Sequence, residues 1–173
     1  PYKGMVISSI DFVHVDVLEG YVEDTTLYSQ SYFARTTNRF HVNTYNRVLR
    51  AFVLFKEDQK VDPYLMADSE RLIRQQPYIE DSYIYLSPNP DGTVKVTIAV
   101  KDRIAYGFGA DFQDFDKWEV GVTNNNIVGT GKALSATYVY RGSKSPPGGY
   151  KLDVSSRHIF RDFTSWKLYY KDL

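Results

Sequence analysis

A chain of 173 residues has room for one ordinary domain, or for a small domain and part of another. Its 21 basic and 21 acidic residues cancel, so no bulk field points to nucleic acid or an anionic surface. With no cysteine, disulfides and thiolate metal sites are excluded. Aromatic residues make up 16 % of the chain and 15 of them are tyrosines, a bias that suits interfaces where a ring has an apolar body and a wet tip. No run approaches the ~20 apolar residues of a membrane helix, and no signal peptide is visible at Pro1. The expectation is a mature chain, or one cut from something longer.

The first half mixes strands and helices. Residues 6–17 are β-branched and alternate, with Ile10, Phe12 and His14 opposed by Asp11, Val13 and Val15, which predicts a strand. An irregular, aromatic-containing stretch follows over 18–43. Thr44 is the expected N-cap of a helix whose stripe is Val48, Leu49, Phe52 and Phe55. Residues 56–60 are a polar break. Asp62-Pro63 then signals a second helix, a capping acceptor followed by proline at the first helical position. Its expected buried stripe is Leu65, Met66, Leu72 and Ile73, with Ser69 between the turns and a Glu70–Arg74 pair at i, i+4. Pro77 ends it. Strands are predicted over 82–87 and 93–101, joined by a turn whose Asp91-Gly92 pair supplies positive φ. The order strand, helix, helix, strand, strand predicts a small α+β layer over 1–103, with both helices on one face of a three-stranded sheet.

From residue 104 onward the period is two. Trp118, Val120 and Val122 oppose Lys117, Glu119, Gly121 and Thr123. Leu134, Ala136, Tyr138 and Tyr140 oppose Ala133, Ser135 and Thr137. Tyr150, Leu152 and Val154 oppose Lys151, Asp153 and Ser155, and Trp166, Leu168 and Tyr170 oppose Lys167, Tyr169 and Lys171. Side chains alternate across a strand, so each run has one apolar and one polar face. Runs of about 7 to 11 such residues, rich in Tyr and Trp, fit hairpins of a transmembrane β-barrel. Turns are expected over 113–117, 124–130, 141–149 and 157–164.

Motifs for chemistry are weak. Gly129-Thr130-Gly131-Lys132 lacks the upstream glycine of a phosphate loop, because Asn126 stands there, and Ala133 replaces the Ser or Thr that would hold Mg²⁺. His14, His41 and His158 share no metal-ligand spacing; the first reads as a strand residue and the last as a turn residue. Asp62, Asp68 and Glu70 are explained by capping and surface pairing, no Gly-x-Ser-x-Gly elbow occurs, and residues 89–92 lack the rest of a calcium loop. No enzyme activity, metal or cofactor is expected.

Two groups of phrases carry a resemblance. Phe55-Lys56-Glu57-Asp58, Val61-Asp62-Pro63, Asp68-Ser69-Glu70-Arg71-Leu72-Ile73 and Pro77-Tyr78-Ile79-Glu80-Asp81, in that element order, resemble a POTRA (polypeptide-transport-associated) domain. Asp58 departs from the glycine usual at or beside that point. Residues 118–132, read as W-E-V-G-V-T-N-N-N-I-V-G-T-G-K, are similar to the second strand and first periplasmic turn of BamA-type barrels of the surface antigen family, with Asn126, Gly129 and Gly131 in the Asn-x-x-Gly-x-Gly positions. Tyr106-Gly107-Phe108-Gly109 looks like their short first strand, and residues 166–172 like the fifth. The resemblance implies residues 104–173 are the first strands of an incomplete sixteen-stranded barrel. Five strands cannot close, so a fragment of a longer protein is expected.

Proteins of this kind insert or translocate polypeptides at the outer membrane, with the N-terminal domain in the periplasm. The resemblance implies two working surfaces. One is a strand edge at Tyr83, Ile84, Tyr85 and Leu86, where an unfolded outer-membrane protein client, a periplasmic lipoprotein or a chaperone could add a strand. The other is a lateral-gate strand, Tyr106, Gly107, Phe108, Gly109 and Ala110, weakened by its glycines. Gly107 and Gly109 have a plainer reading, making room for a bulky neighbour. Tyr138, Tyr140, Leu152, Val154, Trp166 and Leu168 would face outer-membrane lipid. Alternatives are a two-partner-secretion transporter, the barrel anchor of a fused lipase, and a soluble β-rich binding module whose apolar faces pack on each other.

Overall fold

The computed structural model of the protein describes residues 2–15, 42–159 and 164–172, in two units, Pro1–Ile104 and Ala105–Leu173. His41 and most of the 18–43 stretch lie outside the described residues.

In the first unit, β1 (Ile7–Val15) is followed by helices α1 (Asn46–Arg50) and α2 (Pro63–Arg74), then by β2 (Ile79–Pro88) and β3 (Val94–Asp102). The sheet order is β1-β3-β2, with β1 parallel and β2 antiparallel to the central β3. Alternation decides which face is buried. Val94, Val96, Ile98 and Val100 of β3 are fully buried, and with Ile7, Ile10, Leu49, Phe52, Met66 and Ile73 they form one core. Burying each such side chain contributes about 1.5 to 3 kcal/mol. Both helices thus feed a single face of the sheet, while Lys95 on the other face is exposed and pairs with Asp11 at 2.7 Å.

α2 begins where its local chemistry dictates. The Asp62 carboxylate accepts from the Tyr64 N–H at 2.9 Å, and Pro63 fills the first helical position. Met66, Ser69 and Ile73 are buried, but Leu65 is exposed and Leu72 only half-buried, so the buried stripe is narrower than the spacing predicts. The Ser69 hydroxyl donates to the Leu65 carbonyl at 2.6 Å and accepts from the Leu54 N–H at 2.9 Å, tying the helix to the segment that follows α1. Asp62→Ala is expected to cost about 1 kcal/mol, readable as a lower urea midpoint at unchanged slope.

α1 departs from expectation. It spans only five residues, its N-cap is Tyr45, and no side chain caps it. Thr44 is buried and gives both its N–H and its hydroxyl to Asp102 instead. Phe52 and Phe55 are buried as the stripe requires, yet they lie beyond the helix. The chain is claimed here by the start of β1. Asp58 N–H donates to the Ile7 carbonyl and Ile7 N–H to the Gln59 carbonyl, each at 2.9 Å, and Val61 N–H donates to Met5 at 2.8 Å. Asp58, at φ 65°, makes the bend that a glycine would otherwise supply.

The second unit is one antiparallel meander of β4 (Tyr106–Asp114), β5 (Lys117–Asn124), β6 (Lys132–Arg141), β7 (Gly148–Ile159) and β8 (Thr164–Asp172), in that spatial order. β4 and β8 are its two edges, and among the described residues the sheet does not close on itself. The connections at 115–116 and 142–147 are tighter than the expected turns, because pairing continues to Asp114–Lys117 and Tyr140–Gly148. Residues 157–159 continue β7 rather than turning, which places His158 in a strand; of its side chain nothing is described. The rest of the expected 157–164 turn lies outside the described residues.

Candidate functional site

Tyr83, Ile84, Tyr85 and Leu86 lie on β2, an edge strand, opposite Ala99, Ile98, Thr97 and Val96 of β3. In an antiparallel pair, alternate residues turn both main-chain groups to the same side. The outward residues are Ser82, Ile84 and Leu86, because the Ile84 N–H leaves the sheet to meet Glu70 Oε2 at 3.0 Å. The Ser82 carbonyl accepts from Arg74 Nη2 at 2.7 Å, and the Ser82 N–H donates to the Asp81 carboxylate at 2.8 Å. The edge is therefore partly occupied by α2. Glu70 and Arg74, expected as a surface i, i+4 pair, are joined at 2.7 Å and serve the strand as well.

The register of the meander sorts its side chains into two faces. One carries the row Phe108, Val122, Ala136, Leu152 and Tyr170, and next to it Tyr106, Leu134, Val154 and Leu168. Tyr138, Tyr140, Leu152, Val154, Trp166 and Leu168 all lie on this face. It is uncovered: Val122 is 50 % exposed, Leu152 42 % and Leu168 66 %. Aromatic rings gather at the end near the 115–116 turn, where Trp118 stacks on Tyr140 at 5.2 Å and meets Tyr138 at 5.7 Å, with Tyr150 5.3 Å beyond. Tyr106 and Trp166 lie towards the other end, and between the two ends Val122, Ala136 and Leu152 form an aliphatic centre flanked by Phe108 and Tyr170.

Charged residues in the meander pair on the opposite face. Lys151 Nζ reaches Glu119 at 2.6 Å across β6, and Lys167 reaches Asp153 at 2.7 Å. Both carboxylates are about one-quarter exposed, so each pair is partly screened by water and modest in strength.

Tyr106, Gly107, Phe108, Gly109 and Ala110 form the body of β4, whose outer side has no neighbouring strand among the described residues. The two glycines differ. A Cβ at Gly107 would lie 2.7 Å from Thr123 Oγ1, whereas one at Gly109 would meet nothing within 4 Å. Making room for Thr123 accounts for Gly107, while among the described residues nothing packs where a Gly109 side chain would lie. Between β5 and β6, buried Asn126 accepts from the Gly131 N–H at 2.8 Å, and Gly129 and Gly131 take φ of 72° and 70°. Gly129-Thr130-Gly131-Lys132 leads into a strand, so no helix end is offered to a phosphate.

One cluster has no local sequence signal. Asp102, 1 % exposed, accepts from His14 Nδ1 at 3.1 Å and from both donors of Thr44. His14 Nε2 faces Asn46 Oδ1 at 3.0 Å. With an oxygen at each ring nitrogen, only the imidazolium donates to both. The hydrogen bond to Asp102 raises the His14 pKa above its ordinary 6.5, against the opposing effect of burial and with help from Asn46 and the Asp102 charge. Burial, and then the Asp102 charge, push the neighbouring Tyr78 hydroxyl up as well. Among the described residues the cluster ties together three segments, the end of β1, the entry to α1 and the end of β3.

No known protein-family model matches the sequence, and no curated protein is similar to it. The fold has counterparts among solved structures. BamA from Haemophilus ducreyi, in a structure lacking POTRA domains 1–3, superposes with a TM-score of 0.64 and 14 % identity, over 97 % of this chain and 28 % of that one. CdiB from Acinetobacter baumannii gives a TM-score of 0.44 and 11 % identity over 88 % and 25 %, a likeness too slight to carry an argument. The chain spans about a quarter of the length of either. At this identity the BamA likeness is one of fold.

Proposed function

We propose that this chain joins a POTRA-type docking domain to the leading strands of a BamA-type outer-membrane barrel, and that it serves the insertion of other barrel proteins. The observation that carries the reading is the uncovered apolar face of the meander, with rings at its ends and ion pairs confined to the opposite side. An exposed apolar surface of that extent is unusual on a soluble monomer, and rings at both margins suit the two membrane interfaces. The fold likeness to BamA extends over both units and supports the same reading.

The mechanism follows from solvation. In hydrocarbon, an unpaired main-chain N–H or C=O costs several kcal/mol. β4 presents a row of such groups, and Gly109 adds no side chain to resist their parting from a neighbour. An unfolded client strand that pairs with β4 satisfies its own backbone and the gate's together. Client folding in lipid then supplies the free energy, and no cofactor or catalytic residue takes part. The first unit, on the periplasmic side, would gather clients or accessory proteins at its sheet edge.

Single thiols introduced into this cysteine-free stretch test the gate directly. In outer-membrane vesicles holding the intact protein, Ala110→Cys is expected to form a disulfide with a cysteine in the last strand of an assembling barrel client. Thr137→Cys, on the interior strand β6, is expected to form none. Equal trapping at both positions would sink the gate. Trapping of a secreted, non-barrel polypeptide instead would identify a translocator.

A further inference from the structure

The side chains on the β2 edge imitate a strand. One residue of a strand docked parallel to β2, opposite Tyr83, would donate its N–H to the Ser82 carbonyl and accept from the Ile84 N–H. Arg74 supplies that donor at 2.7 Å and Glu70 that acceptor at 3.0 Å. The two are locked to each other at 2.7 Å, the guanidinium is held a second time by Asp81 at 3.0 Å, and it lies 5.3 Å from the Tyr83 ring centre. Main-chain-like distances at both atoms, from one bridged pair, are more than a surface salt bridge requires.

We infer that the Glu70–Arg74 pair is a built-in surrogate for one residue of a docked strand, closing the edge over Ser82 and Ile84, and that an extended client peptide enters at Leu86 and displaces the pair to extend its pairing. This rests on the docking reading above. Leu86 shares the outward parity of Ile84, and no bond to its outward groups is seen among the described residues, so an entry point exists beside the closed stretch. The Arg74 and Glu70 side chains are 43 % and 26 % exposed, so water can take over their charges when they swing out. A pair in that setting is weak enough to yield. Edge strands are commonly shielded against unwanted pairing; here the shield sits on the residues that a partner would need.

Hydrogen exchange reads the closure without a partner. In the full chain in detergent micelles, the Ile84 amide is expected to exchange about tenfold faster in Glu70→Ala than in the wild type, with the core amide of Val96 unchanged. Glu70→Lys, which also repels Arg74, gives the same readout should the alanine variant not fold. A labelled peptide with the sequence of β6, Lys132–Arg141, is expected to bind both Glu70→Ala and Arg74→Ala about tenfold more tightly than the wild type. Unchanged exchange at Ile84 would overturn the closure. Faster exchange with unchanged peptide affinity would overturn the gate, leaving a passive shield. Peptide binding to none of the proteins, with Ile84 opened, would overturn the docking reading itself.

Discussion

Asp102→Ala is expected to remove about 3 to 5 kcal/mol from the stability of the first unit, the scale of breaking a buried ion pair by deleting one partner. Asp102 ends the central strand and is 1 % exposed. Its loss would take one shared acceptor from the His14 ring, the buried Thr44 N–H and the Thr44 hydroxyl at once, so the ends of β1 and β3 and the entry to α1 would loosen together. Native stability of a small unit is itself only about 5 to 15 kcal/mol. Urea unfolding followed by exchange of the β3 amides measures the change; a loss below about 1 kcal/mol, the scale of a single ordinary hydrogen bond, would refute this account.

The same cluster gives a pH dependence with a definite sign. His14 binds its proton more tightly folded than unfolded, so the folded state holds more protons in the window above 6.5 and stability falls there as pH rises. The contribution is complete below 6.5 and is lost as pH climbs through the raised folded value. His14 is faced by Asp102 from β3 and by Asn46 from α1, and Asp102→Ala should flatten that slope.

The second large effect concerns the apolar face. Leu152→Arg, within the row from Phe108 to Tyr170, is expected to weaken membrane association by about 2 to 4 kcal/mol if the face meets lipid. Ser135→Arg, on the other face and opposite Asp153, is expected to be tolerated. The only two tryptophans, Trp118 and Trp166, both lie on the apolar face, so quenching of their emission by lipids brominated in the acyl chains reports association. Equal quenching in Leu152→Arg and the wild type would contradict a lipid-facing role.

What the sequence discloses is what short-range chemistry decides. Asp62-Pro63 sets the start of α2 by itself, and strict alternation through β5, β6, β7 and β8 places each side chain on its face, since a one-residue slip would invert them all. The stripe Val48, Leu49, Phe52 and Phe55 misleads, because burial at helical spacing is also met by a five-residue helix and the irregular segment after it. There the backbone of residues 58–61 is taken by Met5 and Ile7, some 50 positions away, and tertiary pairing overrides propensity. His14 and Asp102 are 88 residues apart, so no spacing rule unites them. Glu70 and Arg74 are legible as a helical pair, but their remaining oxygen and nitrogen atoms reach β2 only in three dimensions.

The central strand of the first unit is also its last. Neither β1 nor β2 touches the other; each finds its neighbour only when residues 94–102 arrive. Assembly of this layer is thus timed to the end of its own stretch of sequence, with a closure spanning more than 80 positions between Ile7 and Val94. Such long-range closure slows folding. A nascent chain halted before residue 94 would hold two orphaned ribbons and the two helices between them, and the layer would commit to its shape only as the meander begins to emerge.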